Sequence, residues 1–276
     1  MTSANQRDLP IGIFDSGLGG LTVFKELRRH LPNERFIYLG DTARTPYGSK
    51  GKETIQRYSL ECAQFLQTQK IKLLVVACNT ASSFALETLI EQCSCPVIGT
   101  IDPAVRQALS VDTVRRVGVI GTKGTIASAA YDQKLRSSGR SLEIFSKACP
   151  LFVPLVEEGL YSGNIVEQVV EHYLSELKAL ALDALILGCT HYPLLAPSIV
   201  RFLGTHTRII ECSKAIALEV EELLEQRQLS RVVGAAAAES ERYFVTDDVD
   251  RFNYLASLFL EKRPVEAVHV EHLSVA

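Results

Sequence analysis

Short apolar runs alternate with amphipathic stretches along most of the chain. The amphipathic stretches at 21–30, 165–180 and 213–228 repeat apolar residues at helical spacing. The apolar runs are predicted to be strands, at 11–14, 35–40, 72–77, 96–99, 116–121, 142–146, 183–188 and 242–248. Apolar strands that alternate with helices are typical of parallel sheets covered on both faces, so the pattern predicts an α/β fold.

The chain contains a weak internal repeat. IGIFDSG at 11–17 is similar to VGVIGTK at 117–123. A cysteine that ends a predicted strand follows each segment, 67 residues after Ile11 at Cys78 and 72 residues after Val117 at Cys189. The repeat predicts two similar α/β halves.

The cysteine of each half lies at a strand end. Cys78 is in LLVVACNTASS, and Cys189 is in ALILGCTHYPLL. Open parallel sheets bind ligands at the carboxyl ends of their strands, so both thiols are expected at a ligand-binding edge. Either cysteine alone is best interpreted as a small buried apolar residue. The matched pair instead favours a chemical function.

Polar residues after each cysteine are expected to cap a helix. Asn79 or Thr80 would be the N-cap in the first half, and Thr190 in the second, where Pro193 fits the first turn. A helix N-terminus lowers the pKa of a nearby thiol toward neutrality. Two thiols on opposite sides of a cleft can remove a proton from one face of a carbon acid and return one to the other, which inverts its configuration.

Composition limits the possible classes of protein. The 276 residues are enough for one large or two ordinary domains. A net charge of −3 with scattered lysines and arginines does not favour nucleic acid as the main partner. No apolar run approaches the roughly 20 residues that cross a bilayer, and the N-terminus has no apolar signal region. A cytoplasmic protein without a membrane partner is expected.

The seven cysteines are expected to be free thiols. Their number is odd, and they are widely spaced in a chain that shows no secretion signal, which argues against a disulfide framework. The single C-x-C at Cys93 and Cys95 has no histidine nearby. Free thiols are a better interpretation of this pair than a metal site.

Five motifs resemble the cofactor-independent aspartate and glutamate racemase family. They are IGIFDSGLGGLTV at 11–23, GDTARTPYGSKG at 40–51, VVACNTASS at 75–83, VGVIGTKGT at 117–125 and LGCTHYPLL at 187–195. The resemblance implies two α/β domains related by pseudo-twofold symmetry, with the active site in the cleft between them. It places the first domain at 1–99 plus 212–276 and the second at 100–211.

The resemblance also implies an activity. The family interconverts L- and D-glutamate without pyridoxal phosphate or metal, and the product supplies bacterial peptidoglycan synthesis. A homodimer is expected, with glutamate as the small-molecule substrate.

By resemblance, Cys78 and Cys189 are the two catalytic bases, one for each enantiomer. Asp15 is expected to be the partner of Cys78, and Glu157 and His191 are expected to assist Cys189. Asp41 is also matched and is expected to order the loop that follows it. The residues expected to contact the substrate are Asp15, Ser16, Tyr47, Gly48, Asn79, Thr80, Thr122, Thr190 and His191.

Other interpretations stay open at this stage. Gly17, Gly19 and Gly20 after the first strand, with Asp41 ending the next, suggest a dinucleotide-binding unit, although Thr22 replaces its third glycine. A two-lobed ligand-binding protein with structural cysteines is the non-enzymatic alternative. Within the racemases, aspartate is the nearest alternative substrate, and the Thr-His pair after Cys189 favours glutamate.

Overall fold

The structure, a computed structural model, describes residues 6–232, 241–260, 264–271 and 273. Ten strands lie within these residues. They are β1 Ile11–Asp15, β2 Phe36–Gly40, β3 Leu73–Val76, β4 Val97–Ile98, β5 Arg116–Gly121, β6 Glu143–Ala148, β7 Ala184–Gly188, β8 Arg208–Glu211, β9 Glu241–Val245 and β10 Ala267–His269.

Helices connect most of these strands. They are α1 Leu21–His30, α2 Lys52–Thr68, α3 Asn79–Gln92, α4 Ile101–Ala108, α5 Lys123–Ala127, α6 Ala130–Arg136, α7 Phe152–Glu157, α8 Asn164–Ala179, α9 Ala196–Leu203, α10 Cys212–Gln226 and α11 Val249–Phe259. Short 3-10 turns lie at Thr42–Arg44, Tyr47–Ser49 and Tyr192–Leu195. Within the described residues, no helix is both long and apolar enough to cross a bilayer.

The strands form two sheets in which every pairing is parallel. The first sheet has the order β10-β9-β2-β1-β3-β4, and the second has the order β6-β5-β7-β8. Four consecutive positions of the first sheet, β2-β1-β3-β4, therefore have the same order as the whole second sheet. This confirms the predicted α/β fold with two similar halves.

The first sheet takes strands from both ends of the chain. Residues 11–98 supply β1 to β4, residues 241–269 supply β9 and β10, and the second sheet takes its strands from residues 116–211. The domain bounds 1–99 plus 212–276 and 100–211 stay a prediction. The two short strands β8 and β10 were not predicted from the sequence.

Two helices lie between the sheets, each with one buried face. α4 and α10 pack against each other, and α10 also packs against α1 of the first half and β7 of the second. One apolar cluster therefore contains buried residues of both sheets, such as Ile13 and Val75 of the first and Val119 and Ile186 of the second. This shared core holds the two halves together.

A buried ion pair joins distant segments at the opposite end of the first sheet. Lys72 precedes β3, and its side chain is 1% exposed and contacts Glu34, whose side chain is 4% exposed. Its ammonium group also donates to the carbonyl oxygens of Arg7 and Leu229, each at 2.8 Å. All three N–H donors of Lys72 therefore have acceptors, as a buried cation requires.

Glu34→Gln is expected to lower the free energy of unfolding by about 3 kcal/mol, because it removes the counter-charge of a buried cation. Glu143→Gln is the matched control, since Glu143 pairs with Arg116 at the surface, with side chains 61% and 47% exposed. The control is expected to cost under about 1 kcal/mol. Urea denaturation measures both, and equal losses would contradict the assignment.

Candidate active site

A cleft lies where the carboxyl ends of β3 and β7 face each other. The space in and at the mouth of this cleft, open solvent included, is about 330 Å³. Cys78 and Cys189, the residues expected to react, both lie in its wall, and each is 6% exposed. The lining residues are Ser16, Thr45, Pro46, Tyr47, Gly48, Cys78, Asn79, Thr80, Thr122, Val153, Cys189, Thr190 and His191. The structure thus brings ten of the predicted site residues to one cleft.

Cys78 is itself the N-cap of α3. Its Sγ accepts a hydrogen bond from the backbone N–H of Ala81 at 3.5 Å and lies 3.6 Å from Oγ of Ser16. The prediction that Asn79 or Thr80 caps this helix was wrong, because both residues lie in its first turn.

The electrostatics of Cys78 also differ from the expectation. Burial, followed by the negative charge of Asp15, raises the pKa of the Cys78 thiol to about 12. The helix N-terminus was expected to lower this pKa. Loss of hydration outweighs the backbone N–H of Ala81, so the Cys78 side of the cleft favours the protonated thiol.

Asp15 ends β1 beneath the cleft and is completely buried. Its Oδ2 accepts from the backbone N–H of Gly17 at 3.0 Å, and its Oδ1 accepts from Oγ1 of Thr190 at 3.5 Å. Burial raises the pKa of Asp15, and the neighbouring His191 opposes that rise. Asp15 therefore acts on Cys78 through its charge and on the second half of the site through Thr190.

Cys189 lies at the start of a chain of polar contacts. Its Sγ is 3.8 Å from Nδ1 of His191, and Nε2 of the same ring is 3.2 Å from Oε1 of Glu157. Burial would lower the pKa of His191, but the contacts with Cys189 and Glu157 outweigh it and raise this pKa to about 10. The ring is therefore an imidazolium at neutral pH, with the thiol on one side and a carboxylate on the other.

Glu157 contacts His191, whereas the adjacent Glu158 does not. Burial tends to raise the pKa of Glu157, but the hydrogen bond with His191 and the positive charges of His191 and Arg251 together outweigh it and lower this pKa. Glu158 is exposed and instead lies 3.6 Å from Arg251 at the surface. The structure places Glu157, and not Glu158, next to the predicted site.

The segment after Cys189 does not begin an α-helix as predicted. The backbone N–H of Tyr192 donates to the carbonyl of Cys189, and that of Leu194 to the carbonyl of His191. These bonds span three residues and lead into the 3-10 turn Tyr192–Leu195, so α9 begins only at Ala196. Thr190 is therefore not an N-cap, and its hydroxyl is directed to Asp15 instead.

Tyr47 and Gly48 line the cleft, but the hydroxyl of Tyr47 is directed away from it. That hydroxyl donates to Asp41, which is completely buried and also accepts from Nε of Arg44 at 2.7 Å and Oγ1 of Thr246 at 3.0 Å. Asp41 thus holds the loop that carries Tyr47. A ribose hydroxyl has no access to this carboxylate, which removes the basis of the dinucleotide interpretation.

The two halves approach closely around the cleft. Oγ1 of Thr80 lies 2.9 Å from Oγ1 of Thr122 in the other half. A Cβ atom on Gly48 would lie 2.5 Å from Cβ of Thr122, and one on Gly19 would lie 2.5 Å from Nδ1 of His191. Only glycine fits at these contacts. In the glycine-rich segment after β1, Gly19 is therefore explained by contact with the second half, and Gly20 by contact with Asp15 and Tyr38 of the first, without a bound phosphate.

Some features of the site were not predicted. Thr45, Pro46 and Val153 line the cleft, and the TPYG segment was the one available signal for the first two. All seven cysteines are free. Among the residues that the structure describes, no three His, Cys, Asp or Glu side chains are grouped so that they could hold a metal ion.

Comparison with known proteins gives consistent matches. The family model described as Asp/Glu/Hydantoin racemase matches residues 12–220. A glutamate racemase of Aquifex aeolicus is 53% identical over 216 residues, which cover 78% of this chain and 84% of that protein.

Two crystal structures are similar over almost the whole chain. A glutamate racemase isoform of Bacillus anthracis has a TM-score of 0.91 at 38% identity, covering 96% of this chain and 98% of that one. A glutamate racemase of Francisella tularensis in complex with D-glutamate has a TM-score of 0.88 at 37% identity, covering 97% and 98%.

Glu157→Gln is expected to lower the pKa of His191 by about one unit or more, because it removes the negative charge beside Nε2. Because its pKa is raised in the folded state, the protonated His191 ring stabilises the folded protein. This stabilisation is complete below pH 6.5, the ordinary pKa of histidine, and is lost as pH rises through about 10. The Glu157→Gln variant is therefore expected to lose the stabilisation by protonated His191 at a lower pH than the wild-type protein. Titration of the His191 ring by NMR measures the shift.

Glu158→Gln is the matched control for that titration, since it removes a neighbouring glutamate that contacts Arg251 instead of His191. The control is expected to leave the His191 titration in place. If both variants shift it equally, the specific role of Glu157 is wrong.

Proposed function

The chain belongs to the Asp/Glu/Hydantoin racemase family, and we propose that it interconverts L- and D-glutamate by a two-base mechanism that needs no cofactor. One observation carries the mechanism: thiols from equivalent positions of two similar halves line the same cleft. The choice of glutamate is supported by the relatives named above, each a glutamate racemase.

The chemistry needs one thiolate and one thiol. The thiolate removes the proton from Cα of glutamate, and the electron pair of that C–H bond stays on the substrate. The thiol on the opposite side then donates its proton to the other face of Cα and becomes a thiolate. The configuration inverts, and the two cysteines have exchanged protonation states, so the enzyme is ready for the reverse reaction.

The surroundings of the two sulfur atoms differ. The raised pKa of Cys78 keeps that sulfur protonated at neutral pH. On the other side, Sγ of Cys189 lies 3.8 Å from Nδ1 of His191. Cys78 is then the acid for the enantiomer that binds to the free enzyme in this state, and the two-base mechanism assigns the base on the opposite face to Cys189.

The remaining predicted residues are proposed to hold the substrate. Ser16, Asn79, Thr80, Thr122 and Thr190 bring hydroxyl and amide groups to the cleft wall. The loop at 45–48 adds its backbone groups, because the hydroxyl of Tyr47 is already bonded to Asp41. Donors of this kind can hold the two carboxylates of glutamate and stabilise the negative charge that develops at Cα.

The cellular context follows from the proposed product. D-Glutamate would supply peptidoglycan synthesis, and thereby cell-wall formation and cell shape. A cytoplasmic location and a homodimer belong to the same proposal. These features are expected from the family resemblance of the sequence motifs.

The substrate is tested with purified protein and each enantiomer of glutamate and of aspartate, with no cofactor added. Loss of optical activity with either enantiomer of glutamate, at a kcat/KM well above that with aspartate, is expected. Faster reaction with aspartate would overturn the choice of substrate. If no acidic amino acid reacts, the racemase proposal fails and the two-lobed ligand-binding protein becomes the better interpretation.

Cys78→Ala and Cys189→Ala are each expected to reduce racemisation by about a thousandfold, because each removes one of the two groups that transfer a proton. Cys149→Ala is the matched control, since Cys149 is a buried free cysteine that does not line the cleft. It is expected to keep the wild-type rate. A cleft variant that racemises as fast as wild type would disprove the two-base assignment.

A further inference from the structure

Behind the cleft wall, three side chains from different parts of the chain meet. Asn79 is the first residue of α3 in the first half, Tyr131 lies on α6 in the second half, and Cys212 begins α10. All three are buried, with 2%, 2% and 3% of their surfaces exposed. Asn79 lines the cleft, whereas Tyr131 and Cys212 do not.

The hydroxyl of Tyr131 fixes the orientation of the Asn79 amide. It donates to Oδ1 of Asn79 at 2.6 Å, and Sγ of Cys212 lies 3.3 Å from the same hydroxyl. The thiol of Cys212 lies 3.5 Å from the same Oδ1 and 3.2 Å from the carbonyl oxygen of Leu187, which is its closer acceptor. The amide oxygen of Asn79 is thus held on the side of Tyr131.

The other end of this amide lacks a partner. Among the described residues, Nδ2 of Asn79 makes no hydrogen bond, although the atom is buried. A buried N–H group without an acceptor costs about 1–3 kcal/mol, so such groups are uncommon unless a ligand satisfies them. Because Oδ1 is held by Tyr131, the two N–H bonds of Nδ2 are available to a molecule in the cleft.

We propose that Tyr131 is a positioning residue, which turns the amide of Asn79 so that Nδ2 donates to a carboxylate oxygen of the bound amino acid. This inference rests on the proposed function, because that function supplies the carboxylate. Phenylalanine at position 131 would keep the packing but remove the shorter of the two contacts to Oδ1, so that only the Cys212 thiol, 3.5 Å away, would still orient the amide.

The arrangement also links substrate binding to the contact between the halves. Tyr131 and Asn79 lie in different halves, so their hydrogen bond forms only where the halves are in contact. The N–H donor of Asn79 is therefore oriented by the same contact that encloses the cleft.

Tyr131→Phe is expected to weaken glutamate binding about tenfold, the effect of a poorly oriented hydrogen bond to a charged group. Calorimetric titration with racemic glutamate measures Kd without net turnover. The value of kcat is expected to change less than about twofold, since Tyr131 does not touch the reacting atoms. Because the two enantiomers have equal free energy, kcat/KM falls by the same factor in both directions.

Tyr243→Phe is the matched control, since its hydroxyl donates to Glu241 at 2.8 Å in β9, away from the cleft. It is expected to keep the wild-type Kd. In an Asn79→Ala background, Tyr131→Phe is expected to have no further effect on Kd, because the group that it positions is gone. A structural role alone would instead weaken binding equally in both backgrounds.

The outcomes separate this inference from the proposed function. If the wild-type protein racemises glutamate but Tyr131→Phe keeps the wild-type Kd, or weakens binding equally with and without Asn79, the positioning role is overturned. If the wild-type protein neither binds nor racemises glutamate, the proposed function itself fails.

Discussion

Contact between the carboxyl edges of two parallel sheets determines where the groups of the site lie. Chain direction in a parallel sheet brings the residues after β1 and β3 to one edge, and those after β5 and β7 to the corresponding edge of the other sheet. The helices α4 and α10 pack within the apolar core that both halves share. Glycines at 19 and 48 allow the approach, because any side chain there would meet the opposite half.

The two halves have the same strand order but different charges at the cleft. The position that ends β1 is Asp15, whereas the equivalent end of β5 is Gly121. The second cysteine is instead accompanied by His191 and Glu157. Such asymmetry is compatible with a reaction between enantiomers of equal free energy, because the free energy that one proton transfer costs is recovered in the opposite transfer. A buried carboxylate lies near Cys78, whose raised pKa keeps that sulfur protonated at neutral pH, and an imidazolium lies beside Cys189.

Much of this arrangement was predictable from the sequence, because apolar runs and a repeat are local patterns. They gave the α/β class, the two halves and the equivalence of Cys78 and Cys189. Helix capping was not predictable, since the choice between Cys78 and Asn79 depends on backbone angles within one turn. The raised pKa of Cys78 depends on burial against Asp15, 63 positions away. The contact between Tyr131 and Asn79 joins separate halves and leaves no signal at either residue.

The most direct test of the two-base account is where deuterium appears at early times in D2O. Starting from either pure enantiomer of glutamate, the account predicts that the newly formed enantiomer carries deuterium at Cα, while the remaining starting enantiomer still carries hydrogen. The thiol that donates has exchanged with solvent, and the thiolate that accepts has taken the substrate proton. Product that retains hydrogen at Cα, or equal early labelling of both enantiomers, would mean that a single base serves both faces and would contradict the account.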